Sequence, residues 1–526
     1  MTGAAVIEHE ARVGREFLRV SLEDLAEAME TRQSEYANPD EPLKFKIYRG
    51  LPRRPLTTRV HRRLTGVEAL DEQALSTLLR YGYGISRQEF DTNGTWPYHR
   101  MVASARCLFA VQLYVCLAEG VHHYDAPHHS LVRLRAGDHR ELLARATGST
   151  GAPPQAVLVL SGLFSKAAYI YRDYAYRLCT QEAGLLTGNL DLVARSMGLR
   201  AHVHHQFVDE PVNKLLGLDP DEEPALVVLP LHLAGADPGI RRREVAETAA
   251  ALAGTIEPIE PYVVRSGLRV AQACPTLTAV NRASLRTDTG GFATAEPAAP
   301  ALPAAEPLAP PRTAAPEVDL AQVLRARDSG PGIFRPVASQ VDGAELWARL
   351  ARVRTGVSSD AVPAGAPVPV EIFLTVGDLT GIPAGCYRLD QGTGALHPVR
   401  PATPDTGQGG TDALTAIERV TIPGPVFRNM NAVVHLVVDR DWAFDTFGDR
   451  GYRVLNQEAG LLAHRVCVAA AAQGVSGRIV NAYHADGVRA ALGLTEQRHA
   501  PVFQILLART GPGGRVIVPV EPEGAQ

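Results

Sequence analysis

Two short histidine clusters are the first candidates for chemistry: His122, His123, His128 and His129, then His202, His204 and His205. Neither has the H-E-x-x-H spacing that sets two imidazoles on one helical face for zinc. In a strand or loop, adjacent histidines point to opposite faces, so no metal site is expected. The six cysteines, Cys107, Cys116, Cys179, Cys274, Cys386 and Cys467, contain no C-x-x-C pair. Most sit in apolar runs and read as small buried hydrophobes. Glu182 and Glu458 fall in the middle of apolar helical segments. A buried carboxylate must be paired, and Arg177 and Arg453 are the expected partners within the same half. The run Arg49, Arg53 and Arg54 could hold a phosphate, and reads equally well as a basic surface.

The elements that must position these residues repeat. Tyr176 opens YRLCTQEAGLL and Tyr452 opens YRVLNQEAGLL, 276 residues later, and Leu216-Gly217-Leu218 returns as Leu492-Gly493-Leu494 at the same offset. Val111–Tyr114 is echoed by Val370–Phe373, and Tyr124-Asp125 by Leu389-Asp390. A fixed offset through a shared Q-E-A-G-L-L marks an internal repeat of domain size. Each half has the same order: a β-branched and aromatic strand, a turn with a short strand, an apolar strand, a long helix from near Tyr174 or Gly451, and a last strand. Gly198 and Gly474 are placed to stop the two long helices. Between the halves, Thr287 to Pro316 is dominated by Ala and Pro, which predicts an extended, semi-rigid linker. The expected division is 1–43, an N-terminal helical extension; 44–286, first domain; 287–317, linker; and 318–526, second domain. In the extension, Ser21 is expected to cap a helix through SLEDLAEAMETR, with Glu23 and Asp24 in its first turn.

Bulk properties exclude several classes. The chain has 526 residues, 45% hydrophobic and 21% charged, with a net charge of −4. That size suits two or three domains, and the balance gives no basic field for nucleic acid or anionic lipid. With no apolar run of about 18 residues, no membrane span is expected, and with no secretory pattern a cytoplasmic protein is expected.

Several segments together resemble the SagB-type thiazole/oxazole peptide dehydrogenases, a branch of the FMN-dependent nitroreductase superfamily. KFKIYRGLPRRPL (44–56) is similar to that family's entry segment, and LLRYGYGISR (78–87) to its next helix and turn. ASARCLFAVQLY (103–114) stands where the family has P-S-A-G-A-L-Y-P-x-E-x-Y, and YAYRLCTQEAG matches R-A-Y-R-x-x-x-x-E-A-G. In the second half, VLRARDSG (323–330) looks like the superfamily's R-R-S opening, and VPAGAPVPVEIF (362–373) like P-S-A-G. The likeness covers roughly 44–235 and 318–510. Departures are specific. The family's Lys-Tyr is Ile170-Tyr171 in the first half and Thr446-Phe447 in the second, and the P-S-A-G glycine is Arg106 in the first half but kept as Gly365 in the second.

The resemblance implies an α+β fold: two tandem nitroreductase-like α/β sandwich domains forming an intramolecular pseudo-dimer, with FMN at the seam. Phosphate is best held by arginine, whose planar donor fork matches its oxygens. Arg325, Arg327 and Ser329, with Ser104 from the other half, are the expected phosphate ligands, and Arg106, Gly365 and Gly474 complete the expected cofactor contacts. Oxidising an azoline to an azole removes a hydride and a proton. The resemblance assigns the proton to Tyr171, with Lys166, about one helical turn earlier, standing in for the missing lysine and lowering the phenol's pKa. The implied enzyme is an FMN-dependent azoline dehydrogenase using oxygen as electron acceptor. Its partners would be an azoline-containing precursor peptide and cyclodehydratase proteins, and a homodimer of chains is left open. Two alternatives stand beside it: a flavin oxidoreductase with another small substrate, and a decayed scaffold that binds peptide or partner enzymes.

Overall fold

The computed structural model describes residues 12–23, 40–90, 97–235, 244–264, 267–296, 306–312, 314–363, 366, 368–401, 413–422, 427–511 and 513–521. The strands are β1 (Ile47–Tyr48), β2 (Arg53–Pro55), β3 (Ile85–Phe90), β4 (Tyr98–Arg100), β5 (Val111–Leu117), β6 (Gly120–Asp125), β7 (Ser130–Ala136), β8 (Ala156–Gly162), β9 (Leu199–Ala201), β10 (Ala225–Leu233), β11 (Val263–Val264), β12 (Glu371–Val376), β13 (Gly385–Leu389), β14 (Leu396–Pro401), β15 (Ala432–Asp439), β16 (Ser476–Val480), β17 (His499–Ala508) and β18 (Val516–Pro519). The helices that position the site are α1 (Arg12–Glu23), α2 (Glu72–Tyr83), α3 (Ser165–Tyr171), α4 (Ala175–Ser196), α5 (Leu320–Ala326), α6 (Arg440–Phe447) and α7 (Gly451–Ala471).

Two antiparallel sheets carry the same strand order. The first runs β2-β7-β6-β5-β8-β10-β9 and the second β14-β13-β12-β15-β17-β16. Apart from the extra edge strand β2, each strand of one has its counterpart in the other, so the repeat seen in the sequence is a repeat of topology. In the first sheet the two-residue alternation of a strand splits the side chains. Leu113, Val115, Leu158 and Leu160 face a core shared with the second half, and Tyr114, Cys116, Val157 and Val159 face an outer layer.

The long helices α4 and α7 cross at the Q-E-A-G-L-L repeat. A Cβ on Gly184 would lie 2.3 Å from the Gln457 carbonyl oxygen, and one on Gly460 would lie 2.5 Å from that of Gln181. Only glycine lets the two backbones approach this closely. Both helices are followed by glycines of positive φ, Gly198 at 74° and Gly474 at 68°, as a left-handed stop requires.

Each half also reaches into the other. Helix α1 packs on the second half: Arg15 pairs with Asp441 at 3.0 Å, and Ser21 Oγ lies 3.4 Å from Tyr452 Oη. Ser21 therefore sits inside helix α1, described over Arg12–Glu23, and does not cap one. The rest of the expected helix lies outside the described residues. In return, β18 at the far end of the chain pairs antiparallel with β3, forming a sheet β18-β3-β4.

The described parts of the Ala/Pro segment are docked on the two halves. Thr248 bridges Asp288, Trp442 Nε1 donates to the Ala295 carbonyl at 2.7 Å, and Leu308 bridges Leu396. Phe292, the one aromatic residue of that segment, is buried and supplies anchorage that composition alone did not suggest. No helix among the described residues is long and apolar enough to cross a membrane.

Candidate functional site

A cavity of about 620 Å³ opens along one seam between the halves, within the about 300–1,000 Å³ span of small-molecule pockets. The β3–β4 hairpin gives it Arg87, Glu89 and His99, the following loop Val102 to Phe109, and α4 Gln181 and Glu182. The second half contributes Arg327, Ser329 and Gly330, then Arg478 and Asn481 at the end of β16.

The 103–109 loop is built around the carboxylate of Glu182. Ser104 Oγ donates to Glu182 Oε2 at 2.5 Å and accepts from the Phe109 amide at 2.8 Å, and the Val111 amide donates to Glu182 Oε1 at 3.0 Å. Burial raises the pKa of Glu182, while those two donors oppose the shift. The expected Arg177 partnership is not formed. Arg177 donates to the carbonyls of Ser21 and Val502, and Arg453 to Tyr176, Asp209 and Asn281. The loop holds three non-glycine residues at positive φ, Arg106 at 48°, Cys107 at 57° and Phe109 at 50°. Arg106 thus occupies a left-handed position where the resembled motif carries glycine, at about 1–2 kcal/mol.

Of the expected phosphate ligands, Arg327 and Ser329 line the cavity and Arg325 does not. Arg325 donates to Tyr81 Oη at 3.0 Å, because Arg325 and Arg327 project from different sides as α5 ends. Ser104 lines the cavity, but its hydroxyl proton is committed to Glu182. Arg327 is buried, with Nε donating to the Met101 carbonyl at 3.1 Å and Nη2 to that of Arg100 at 3.4 Å, while Nη1 has no partner. Gly474 does not line this cavity; it stops α7. Gly365 lies outside the described residues.

Tyr171 lines the cavity, with the Arg106 guanidinium 5.8 Å from its ring centre. Burial raises the phenol's pKa and Arg106 acts against that rise. Lys166 is not the neighbouring cation. Five residues along a helix is a turn of about 140° away from Tyr171, and the ammonium donates to the carbonyls of Leu43 and Lys44 at 3.3 and 2.6 Å. Burial lowers its pKa to about 7. His99, in the cavity wall, is pushed down to about 4 by burial and by Arg87, and burial pushes the Cys107 thiol up to about 11.

Three lining residues carry buried polar atoms without a hydrogen-bond partner: Arg327 Nη1, Tyr174 Oη and Asn481 Oδ1. Unpaired buried polar atoms are costly unless a ligand completes them. This set, a cationic donor in Arg327 Nη1, a hydroxyl and an amide acceptor in Asn481 Oδ1, fits a ligand with an anionic group and further polar edges, as FMN has.

Sequence reasoning passed over Arg478 and Asn481, although the 276-residue offset would have found them: it sets His202 opposite Arg478 and His205 opposite Asn481. Arg478 fixes the Ser329–Gly332 loop, donating to the carbonyls of Ser329 at 2.9 Å, Gly330 at 3.2 Å and Gly332 at 3.0 Å. Asn481 donates to Gln181 Oε1 at 2.7 Å.

The other seam is built differently. His205 Nδ1 donates to Gln457 Oε1 at 2.8 Å and Nε2 to Glu458 Oε1 at 2.7 Å, with both partners of the ion pair fully buried. Burial works against the imidazolium, and Glu458 outweighs it, so His205's pKa is raised. The same seam holds a groove of about 880 Å³, with His202 and His204 in its wall.

Sheet order, paired central helices and a seam cavity define a nitroreductase-fold protein with two copies of the fold in one chain. Residues 58–231 match the nitroreductase family. A protein described as a nitroreductase from Anabaena variabilis superposes on 95% of this chain and 99% of its own, with a TM-score of 0.70 and 20% identity. The two-copy arrangement is thus found whole in a second chain. A protein of Methanocaldococcus jannaschii described as a nitroreductase is 26% identical over 165 residues, 30% of this chain and 78% of that one. The E. coli microcin synthetase McbBCD complex, with a truncated propeptide bound, aligns over 44% of this chain and 97% of its own at 15% identity, with a TM-score of 0.28.

Proposed function

We propose that the chain is an FMN-dependent dehydrogenase that oxidises azoline rings to azoles in a ribosomally made peptide, with oxygen as terminal acceptor and cyclodehydratase proteins as suppliers of substrate. The observation that carries the reading is the seam cavity with the unpaired Arg327 nitrogen in its wall. The order of family-like motifs in both halves supports the choice of substrate. Bound FMN would supply the hydride acceptor. Arg327 would hold its phosphate, with Ser329 beside it, and Arg478 keeps that loop in place. Tyr171 takes the proton released from the ring carbon, and the Arg106 charge favours the phenolate it needs.

Reconstitution tests this directly. The full chain incubated with FMN is expected to retain flavin absorbance after desalting, and Arg327→Ala to weaken retention by about tenfold or more, the worth of one charge-assisted hydrogen bond. The flavin-loaded chain is expected to remove two hydrogens from an azoline peptide, read by mass. A chain that stays colourless with FMN in excess overturns the proposal. Flavin binding with no mass change leaves the flavoprotein and removes the azoline substrate.

A further inference from the structure

The second seam is a groove in its own right. Where the first seam has Asn481 against Gln181, this seam has His205 bonded to Gln457 and Glu458, and none of these three lines the groove. Its wall carries Arg354, whose Nε and Nη2 are buried with no hydrogen-bond partner. That edge of a guanidinium is the one that takes a carboxylate or phosphate in two parallel bonds. The acids of the groove are already satisfied. Asp360 accepts from the amides of His205 and Gln206 at 2.9 and 3.0 Å, Glu371 accepts from Arg388 at 2.7 Å, and Asp390 accepts from the amides of Gly392 and Thr393 at 2.8 and 3.0 Å. Glu296 stands at the exposed rim. Arg354 is therefore the charge left over.

We propose that this groove binds a carboxylate-bearing peptide segment through Arg354 and is not a second flavin site. One guanidinium fork matches one singly charged, planar group. A phosphate dianion would set both its charges at the one fork, in a groove that also holds Asp360 and Glu371, whereas the carboxylates of a peptide are spaced along the chain and only one enters the fork. The groove's volume exceeds that of a small anion by far and suits several residues of extended chain.

The test is a calorimetric titration of the full chain with a blocked tri-glutamate peptide, with tri-glutamine and inorganic phosphate alongside. Saturable tri-glutamate binding is expected, with tri-glutamine about tenfold or more weaker, and Arg354→Gln weakening tri-glutamate by a similar factor. Should Arg354→Gln fail to fold, Thr355→Trp, at an exposed position of the groove mouth, is expected to block the peptide by bulk. Equal affinity for tri-glutamine, unchanged binding in either variant, or displacement of the peptide by less phosphate than peptide overturns the proposal. So does FMN binding at two per chain. Because the titration reads no flavin chemistry, a chain that binds tri-glutamate but never FMN would sink the oxidoreductase reading alone.

Discussion

Tyr171 illustrates how one side chain's surroundings set its pH dependence. Burial holds its phenol above the ordinary tyrosine range and Arg106 offsets part of that. A base of raised pKa is scarce at neutral pH, so turnover is expected to climb with pH through the alkaline range. Tyr171→Phe is expected to lower the rate by about a hundredfold or more and to flatten that climb; an unchanged profile removes Tyr171 as the proton acceptor. His205 has the opposite sense. Its folded pKa lies above the unfolded value of about 6.5, so its charge stabilises fully below that pH and ceases to as pH rises through the folded value. His205→Ala strands Glu458 without its partner and is expected to cost about 3–5 kcal/mol near pH 6, and less at pH 9, measured by denaturant unfolding. Residue types hinted at these roles without fixing partners. Glu182 was legible as a buried carboxylate, but its donors are a serine 78 residues away and a strand amide. Only the fold brings such distant groups together, so Arg177 looked the better partner on the chain.

At the scale of elements, the crossing of α4 and α7 turns on their glycines. Gly184→Ala or Gly460→Ala drives a methyl into a carbonyl of the facing helix and is expected to cost about 1–3 kcal/mol by overpacking. Equilibrium unfolding checks this, and a neutral substitution would mean the helices separate freely. These helices were the most legible part of the chain, because a 22-residue and a 21-residue helix sharing one motif leave a strong periodic signal. Strands of two or three residues such as β1, β4 and β9 leave none, being defined by what they pair with.

For the molecule as a whole, the first cavity depends on the distant end of the chain. Arg515, just before β18, donates to Glu89 at 2.9 Å and to Asp328 at 2.6 Å, and Arg87 donates to the Arg327 carbonyl at 3.2 Å. A chain ending at Gly514 loses that brace together with β18. It is expected to retain FMN about tenfold less well while its far-ultraviolet dichroism stays close to that of the full chain; undiminished retention would show the arm to be dispensable. This brace was invisible beforehand, since nothing in VIVP announces a strand that joins the other half.

Matching strand orders joined in one polypeptide carry an evolutionary consequence. In a symmetric pair of identical subunits, any mutation at one pocket is copied into its twin, so neither can specialise without the other. Covalent duplication removes that restraint. A histidine can stand in one seam where an asparagine stands in its counterpart, and a single gene can then select two unlike recesses independently.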